Sequence, residues 1–156
     1  MKYESVQQAR EALKKLEQTQ AAYNHALGVL YLDATTAAPS DTWEGRGKTM
    51  EVMSQITYDL LVNDENDELL SYLEAHADEL DAQTKREVEV LRKSYDQIHR
   101  IPAEEYVAYS VLLNDAESVW HKAKLEDDFA AFAPYLEKVV DYNRKFAGYY
   151  LSLIHI

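Results

Sequence analysis

Between Tyr3 and Leu30 the apolar side chains fall at Val6, Ala9, Leu13, Leu16, Tyr23, Leu27 and Leu30, with Gln20 the polar exception. Steps of three and four place them in one stripe, which predicts an amphipathic helix. At about 1.5 Å per residue it would be near 40 Å long. The stretch from Asp33 to Ser40 reads as a break because it ends in Pro39. Asp41 is placed to cap a second helix, with Glu44 three residues on as in a capping box. That helix carries Trp43, Met50, Met53, Ile56 and Leu60, and the polar run Asn63-Asp64-Glu65-Asn66-Asp67 is expected to stop it.

The rhythm resumes four more times. Leu69, Leu70, Leu73, Ala77 and Leu80 predict a short third helix, and Asp81 caps a fourth bearing Val88, Leu91, Tyr95 and Ile98. Ile101-Pro102-Ala103-Glu104-Glu105 opens a fifth, with Pro in the first turn and acids beside the positive end of the dipole. It runs to about Glu126 through Tyr106, Leu113, Ala116, Trp120 and Ala123. Asp127 or Asp128 caps a final turn, and Pro134 is expected to start the sixth helix, with Leu136, Val139, Val140 and Phe146. No strand alternation, hairpin turn or internal repeat interrupts the pattern. The fold class is all-α, a bundle of about six helices with two or more long antiparallel members.

Composition narrows the picture further. A chain of 156 residues fits one domain of ordinary size, and 47% hydrophobic with 28% charged residues is a globular balance. Four Gly and three Pro leave few places to turn. The formal net charge of -12 argues against nucleic acid and anionic membrane surfaces as partners, since both would repel it. The absence of Cys excludes a disulfide framework, thiolate zinc sites and a cysteine nucleophile. No apolar run approaches the roughly 20 residues that span a bilayer, and Met1-Lys2-Tyr3-Glu4-Ser5 opens no signal-peptide core. A cytoplasmic location is the expectation.

Candidate chemistry is sparse. None of His25, His76, His99, His121 and His155 stands four from another, so the helical His-Glu-x-x-His zinc site is not formed. The di-iron Glu-x-x-His tetrad is missing too, and Asp96-Gln97-Ile98-His99 leaves a metal site half built. The carboxylate pairs Glu87/Glu89, Glu104/Glu105 and Asp127/Asp128 read as solvated faces and caps, and no phosphate loop or nucleophile elbow occurs. Twelve Tyr at helical spacings read as the rim of a helical core. No catalytic residue and no metal ligand are therefore assigned. The least bland stretch is Tyr31–Arg46, where Asp33 and Asp41 read as caps, Pro39 as a stop, Trp43 as packing and Arg46 as the partner of a carboxylate.

Taken in order, that stretch resembles something specific. Leu30-Tyr31-Leu32-Asp33-Ala34-Thr35-Thr36-Ala37-Ala38-Pro39, then Arg46 and Met53-Ser54, is similar to the N-terminal signature of the carboxypeptidase Taq (M32) metallocarboxypeptidases, a Trp-Asp-x-x-Thr-x-x-Pro pattern followed by Arg. A second block, Ile101-Pro102-Ala103-Glu104, Ala116–Ala123 and Asp128–Leu136, resembles the same family in order and spacing. The likeness covers about Tyr23 to Ala147, with Leu32 where the family usually has Trp.

The resemblance implies that residues 1–150 are the N-terminal helical region of a longer metal-dependent enzyme releasing C-terminal residues from peptides with broad specificity. Its zinc (or cobalt) ligands, general base and carboxylate-binding Arg would lie outside this segment, which would bind no cofactor itself. The segment would wall or cover the peptide groove, with Asp33, Thr36 and Arg46 as groove-side or interface candidates. Implied partners are the remainder of the same enzyme, a peptide substrate and a second copy in a homodimer. Residues 151–156, an apolar Leu-Ser-Leu-Ile-His-Ile run without cap or charge, read as a non-native or truncated tail. The alternatives are a free-standing acidic helical protein-binding module, or the N-terminal part of another helical zinc peptidase such as an oligoendopeptidase. The Asp-x-x-Thr-x-x-Pro-to-Arg order favours M32 over the latter.

Overall fold

The computed structural model describes residues 3–39 and 42–150, and only the backbone at Trp43 and Glu44. Six α-helices lie among the described residues: α1 Val6–Thr36, α2 Trp43–Leu61, α3 Asp64–Ala75, α4 Ala82–His99, α5 Ala103–Glu126 and α6 Phe129–Tyr149. A 3₁₀ turn at Ala77–Glu79 joins α3 to α4, and no strand occurs among the described residues. The all-α reading holds. The Asp41–Glu44 capping box and the 151–156 tail fall outside the described residues.

Three boundaries differ from the sequence expectation, each for a local reason. α1 runs through the expected break as far as Thr36, because no Gly or Pro occurs between Asp33 and Ala38. Its last turn is closed by Ala37 and Ala38 N–H groups on the Asp33 carbonyl at 2.9 and 2.8 Å. The residue before Pro39 is then pushed out of helical geometry. α2 stops at Leu61, just ahead of the acidic run as expected, but the run itself opens α3 rather than forming a loop. Asn63 Oδ1 accepts the Asn66 N–H at 2.9 Å, and Asp64, Glu65 and Asp67 occupy the first turn, where the dipole favours negative charge. α6 begins at Phe129, five residues ahead of Pro134. Asp128 Oδ1 caps it from Ala131 N–H at 3.1 Å, and Pro134 sits inside the helix, one backbone bond short.

The chain divides into two compact units interleaved in sequence. One comprises the residues up to Leu30 with Thr57–His99; the other comprises Tyr31–Ile56 with the chain from Arg100 onward. The first has a continuous apolar core: Ala9, Leu13 and Leu16 of α1 meet Leu61, Leu69, Leu70, Leu73, Leu80, Val88, Leu91 and Tyr95. Burying each such Leu contributes roughly 1.5–3 kcal/mol. Arg92 lies across this unit with its side chain only 17% exposed, donating to Asp67 Oδ1 at 2.6 Å, Ser71 Oγ at 2.9 Å and Glu74 at 3.2 Å. Its guanidinium also sits 5.5 Å from the Tyr95 ring centre.

In the second unit α5 and α6 form an antiparallel hairpin. Glu105 at the start of α5 meets the end of α6, accepting from Lys145 Nζ at 2.8 Å and Tyr149 OH at 2.9 Å. One turn along, Tyr109 packs edge-on to Phe146 at 5.1 Å and its hydroxyl accepts from Asn143 Nδ2 at 2.9 Å. Asp127 closes the turn in the left-handed region at φ 60°, its N–H on the Ala123 carbonyl. Asp tolerates that conformation better than a bulkier side chain does.

Candidate functional site

Arg46, one turn into α2, lies in the second unit against α5. Its Nη1 donates to Thr42 Oγ1 at 3.2 Å, and its Nη2 to Ser118 Oγ at 3.3 Å. Nε is buried and has no hydrogen-bond partner among the described residues. Arg46 lines a cavity of about 230 Å³. Ala34, Thr35 and Ala38, at the C-terminal end of α1, form one part of its wall. Asn114, Glu117, Ser118 and His121 of α5 form the rest.

The α5 face is orderly for a helical reason. Positions 114, 117, 118 and 121 are spaced i, i+3, i+4, i+7 and so share one side of the helix. Ser118 donates its hydroxyl to the Asn114 carbonyl at 3.1 Å, which leaves its oxygen free to accept from Arg46. Glu117 Oε1 stands 4.0 Å from His121 Nε2, and the His121 ring lies 4.7 Å from that of Trp120. Gly47, buried next to Arg46, runs close to the same face: a Cβ there would meet Asp115 Oδ1 at 3.7 Å and Asn114 Nδ2 at 3.8 Å.

Of the residues singled out from sequence, Arg46 lines this cavity, and it bonds hydroxyls where a carboxylate was expected. Asp33 is exposed in the last turn of α1, where its backbone carbonyl, rather than its carboxylate, takes the terminal amides. Thr36 is exposed and donates to the Leu32 carbonyl at 2.6 Å, while its neighbour Thr35 reaches the cavity wall. The Trp43 side chain lies outside the described residues. Sequence reasoning did not single out Thr35, Asn114, Glu117, Ser118 or His121 for the site. The signal for the last four was the polar i, i+3, i+4, i+7 stripe itself.

A larger cleft of about 770 Å³ in the first unit runs between α1 and α4. Its walls carry both charges, with Arg10 paired to Asp81 at 2.7 Å. Burial raises the pKa of Glu17, and the nearby Glu87 charge adds to the effect. Among the described residues no buried side-chain polar atom there is left without a partner.

A catalytic metal does not fit the residues present. Among the described residues no group of three or more His, Asp or Glu side chains could hold one. Glu117 with His121 makes two donors at most. Asp96 is turned to Arg92 at 3.9 Å, and His99 stacks on Tyr95 at 5.3 Å, so the Asp-x-x-His pair is committed elsewhere.

Comparison with known proteins places these features. A family model described as Carboxypeptidase Taq (M32) metallopeptidase matches residues 12–153. Carboxypeptidase 1 of Bacillus subtilis (strain 168) is 33% identical over 128 residues, 82% of this chain and 26% of that protein. Thermostable carboxypeptidase 1 of Thermus thermophilus is 28% identical over 125 residues, 78% of this chain and 24% of that protein. Among solved structures, the BsuCP crystal structure shares 30% identity at a TM-score of 0.88, covering 91% of this chain and 29% of the other. The chain thus spans about a quarter of the length of the curated relatives it matches. With sequence and fold agreeing over nearly all of its residues, the chain belongs to the carboxypeptidase Taq (M32) metallopeptidase family.

Proposed function

We propose that residues 1–150 act as the N-terminal helical segment of a metal-dependent carboxypeptidase that releases C-terminal residues from peptides with broad specificity. The observation that carries this is the family match over residues 12–153 of a chain spanning a quarter of its relatives' length. In this reading the zinc or cobalt site and the general base belong to sequence outside this segment, since the residues here do not fit a metal. No catalytic step is assigned to them. The segment's part is to wall or cover the groove: helices as long as α1, with 31 residues, are stiff enough to narrow access. Asp33, Thr36 and Arg46 face the groove or an interface with the rest of the enzyme. A homodimer in the cytoplasm completes the proposal, and light scattering on the longer protein tests the dimer.

Two experiments test it. Release of C-terminal residues from N-blocked peptides is assayed for the 156-residue chain with added zinc or cobalt, and none is expected. Metal-dependent release by this chain alone overturns the segment reading. The source gene is also read past the Tyr150 codon. A frame that continues into a His-Glu-x-x-His stretch supports the proposal, and a stop codon after Ile156 in independent reads defeats it.

A further inference from the structure

We propose that the Arg46 cavity is a receptor for a carboxylate group. The starting point is an imbalance of charge. The chain has 28 Asp plus Glu against 16 Lys plus Arg, so a guanidinium has carboxylates to spare. Arg10, Arg86, Arg92 and Arg144 each meet one, at 2.7, 2.9, 2.6 and 3.7 Å. Arg46, among the described residues, meets only the hydroxyls of Thr42 and Ser118, and its buried Nε–H meets nothing. A guanidinium carries a full charge at any physiological pH, and a buried N–H left without an acceptor is costly. A ligand that accepts this N–H removes that cost.

The chemistry of the wall selects the ligand. Nε and Nη2 lie on one edge of the guanidinium, where their N–H bonds match the two oxygens of a carboxylate. Nη2 is held only at 3.3 Å by Ser118 and can turn to a better acceptor. Asn114 and His121 add further N–H groups to the same wall. Glu117 contributes a negative charge there, which repels a dianionic phosphate more strongly than a monoanionic carboxylate. The cavity of about 230 Å³ holds several times a water's share of roughly 30 Å³, enough for a carboxylate with its first carbons. Two sources share that chemistry: the C-terminal carboxylate of a peptide, and an Asp or Glu side chain brought in by another segment. The inference goes beyond the peptidase proposal and holds for this chain whether or not the longer protein cleaves peptides.

Heteronuclear NMR on the 156-residue chain at constant ionic strength tests it, reading the Arg46 Nε–H resonance. Sodium acetate should move that resonance saturably, and sodium chloride should not. Acetyl-dialanine should act like acetate, whereas its C-terminal amide should not. Tighter binding of acetyl-dialanine than of acetyl-glutamate amide supports a peptide end as the ligand; the reverse order supports a side chain. Arg46→Lys, which keeps the charge but not the fork, should weaken binding on the order of tenfold. Should that variant not fold, the wild-type titration decides, with Asn114 Nδ2 and His121 resonances moving on the same curve. If no carboxylate probe moves the Arg46 resonance more than chloride does, or if Arg46→Lys binds as well as the wild type, the proposal is overturned.

Discussion

Leu70 and Leu73 have no solvent exposure, so shortening either side chain removes apolar contact and leaves a hole that the neighbouring helices cannot close. Leu73→Ala should lower stability by about 2–5 kcal/mol, read from urea unfolding. Two carboxylates of the same unit predict opposite pH effects. Asp81 is held below the usual Asp value, first by the Thr84 backbone N–H at 2.9 Å and then by the Thr84 hydroxyl, with Arg10 adding to the effect. Its folded state therefore binds a proton less readily than the unfolded chain. The stability it brings is complete above the ordinary carboxylate range and is lost as pH falls through the folded value. Asp81→Ala should flatten the acid limb of a plot of urea midpoint against pH. Glu17 is pushed the other way, by burial and then by Glu87, so its ionised form is strained when folded. Glu17→Gln should stabilise the chain at neutral pH, and the gain should fade as pH falls through the folded value towards 4.5, the ordinary one. A gain that persisted unchanged in acid would show that charge is not the cause.

Helix ends and helix interiors make their own predictions. Asp127 is the one described non-glycine residue at positive φ, and it closes the turn between α5 and α6. Glycine fits that conformation without a Cβ clash, so Asp127→Gly should raise stability by about 1 kcal/mol in thermal unfolding. Elements were legible from sequence wherever periodicity and punctuation agreed: α4 begins one residue after Asp81, and α5 starts right behind Pro102. They were misread where a signal has two meanings. An acidic run suits a loop and also the positive end of a helix, and Asn63 decides for the helix by supplying the cap of α3. Proline opens helices, yet Pro134 falls inside α6 because Asp128 had already supplied a cap.

Across the whole molecule, the spread of apolar surface bears on the segment proposal. Leu125 is 89% exposed and Phe129 66%, at the tip of the α5–α6 hairpin, and Tyr31 and Leu32 on α1 are exposed as well. If further sequence packs on such residues in a longer enzyme, this chain by itself should enhance ANS fluorescence or associate on sizing. A cooperative melt with no dye enhancement would count against the segment reading. The family was legible because its signature is an ordered string of residues, and order is a property of sequence. Helix content was legible for a related reason: the three-four rhythm is local, and a helix satisfies its backbone within one segment. The site was legible only as Arg46. Its hydroxyl partner Ser118 stands 72 positions away, and the cavity, with a buried Nε that no described residue accepts from, exists only once α2 packs beside α5. Sequence determined which helices form and which family they belong to. Tertiary structure alone decided which polar groups share a cavity and which are left without a partner, because burial and hydrogen-bond satisfaction are set by distant residues.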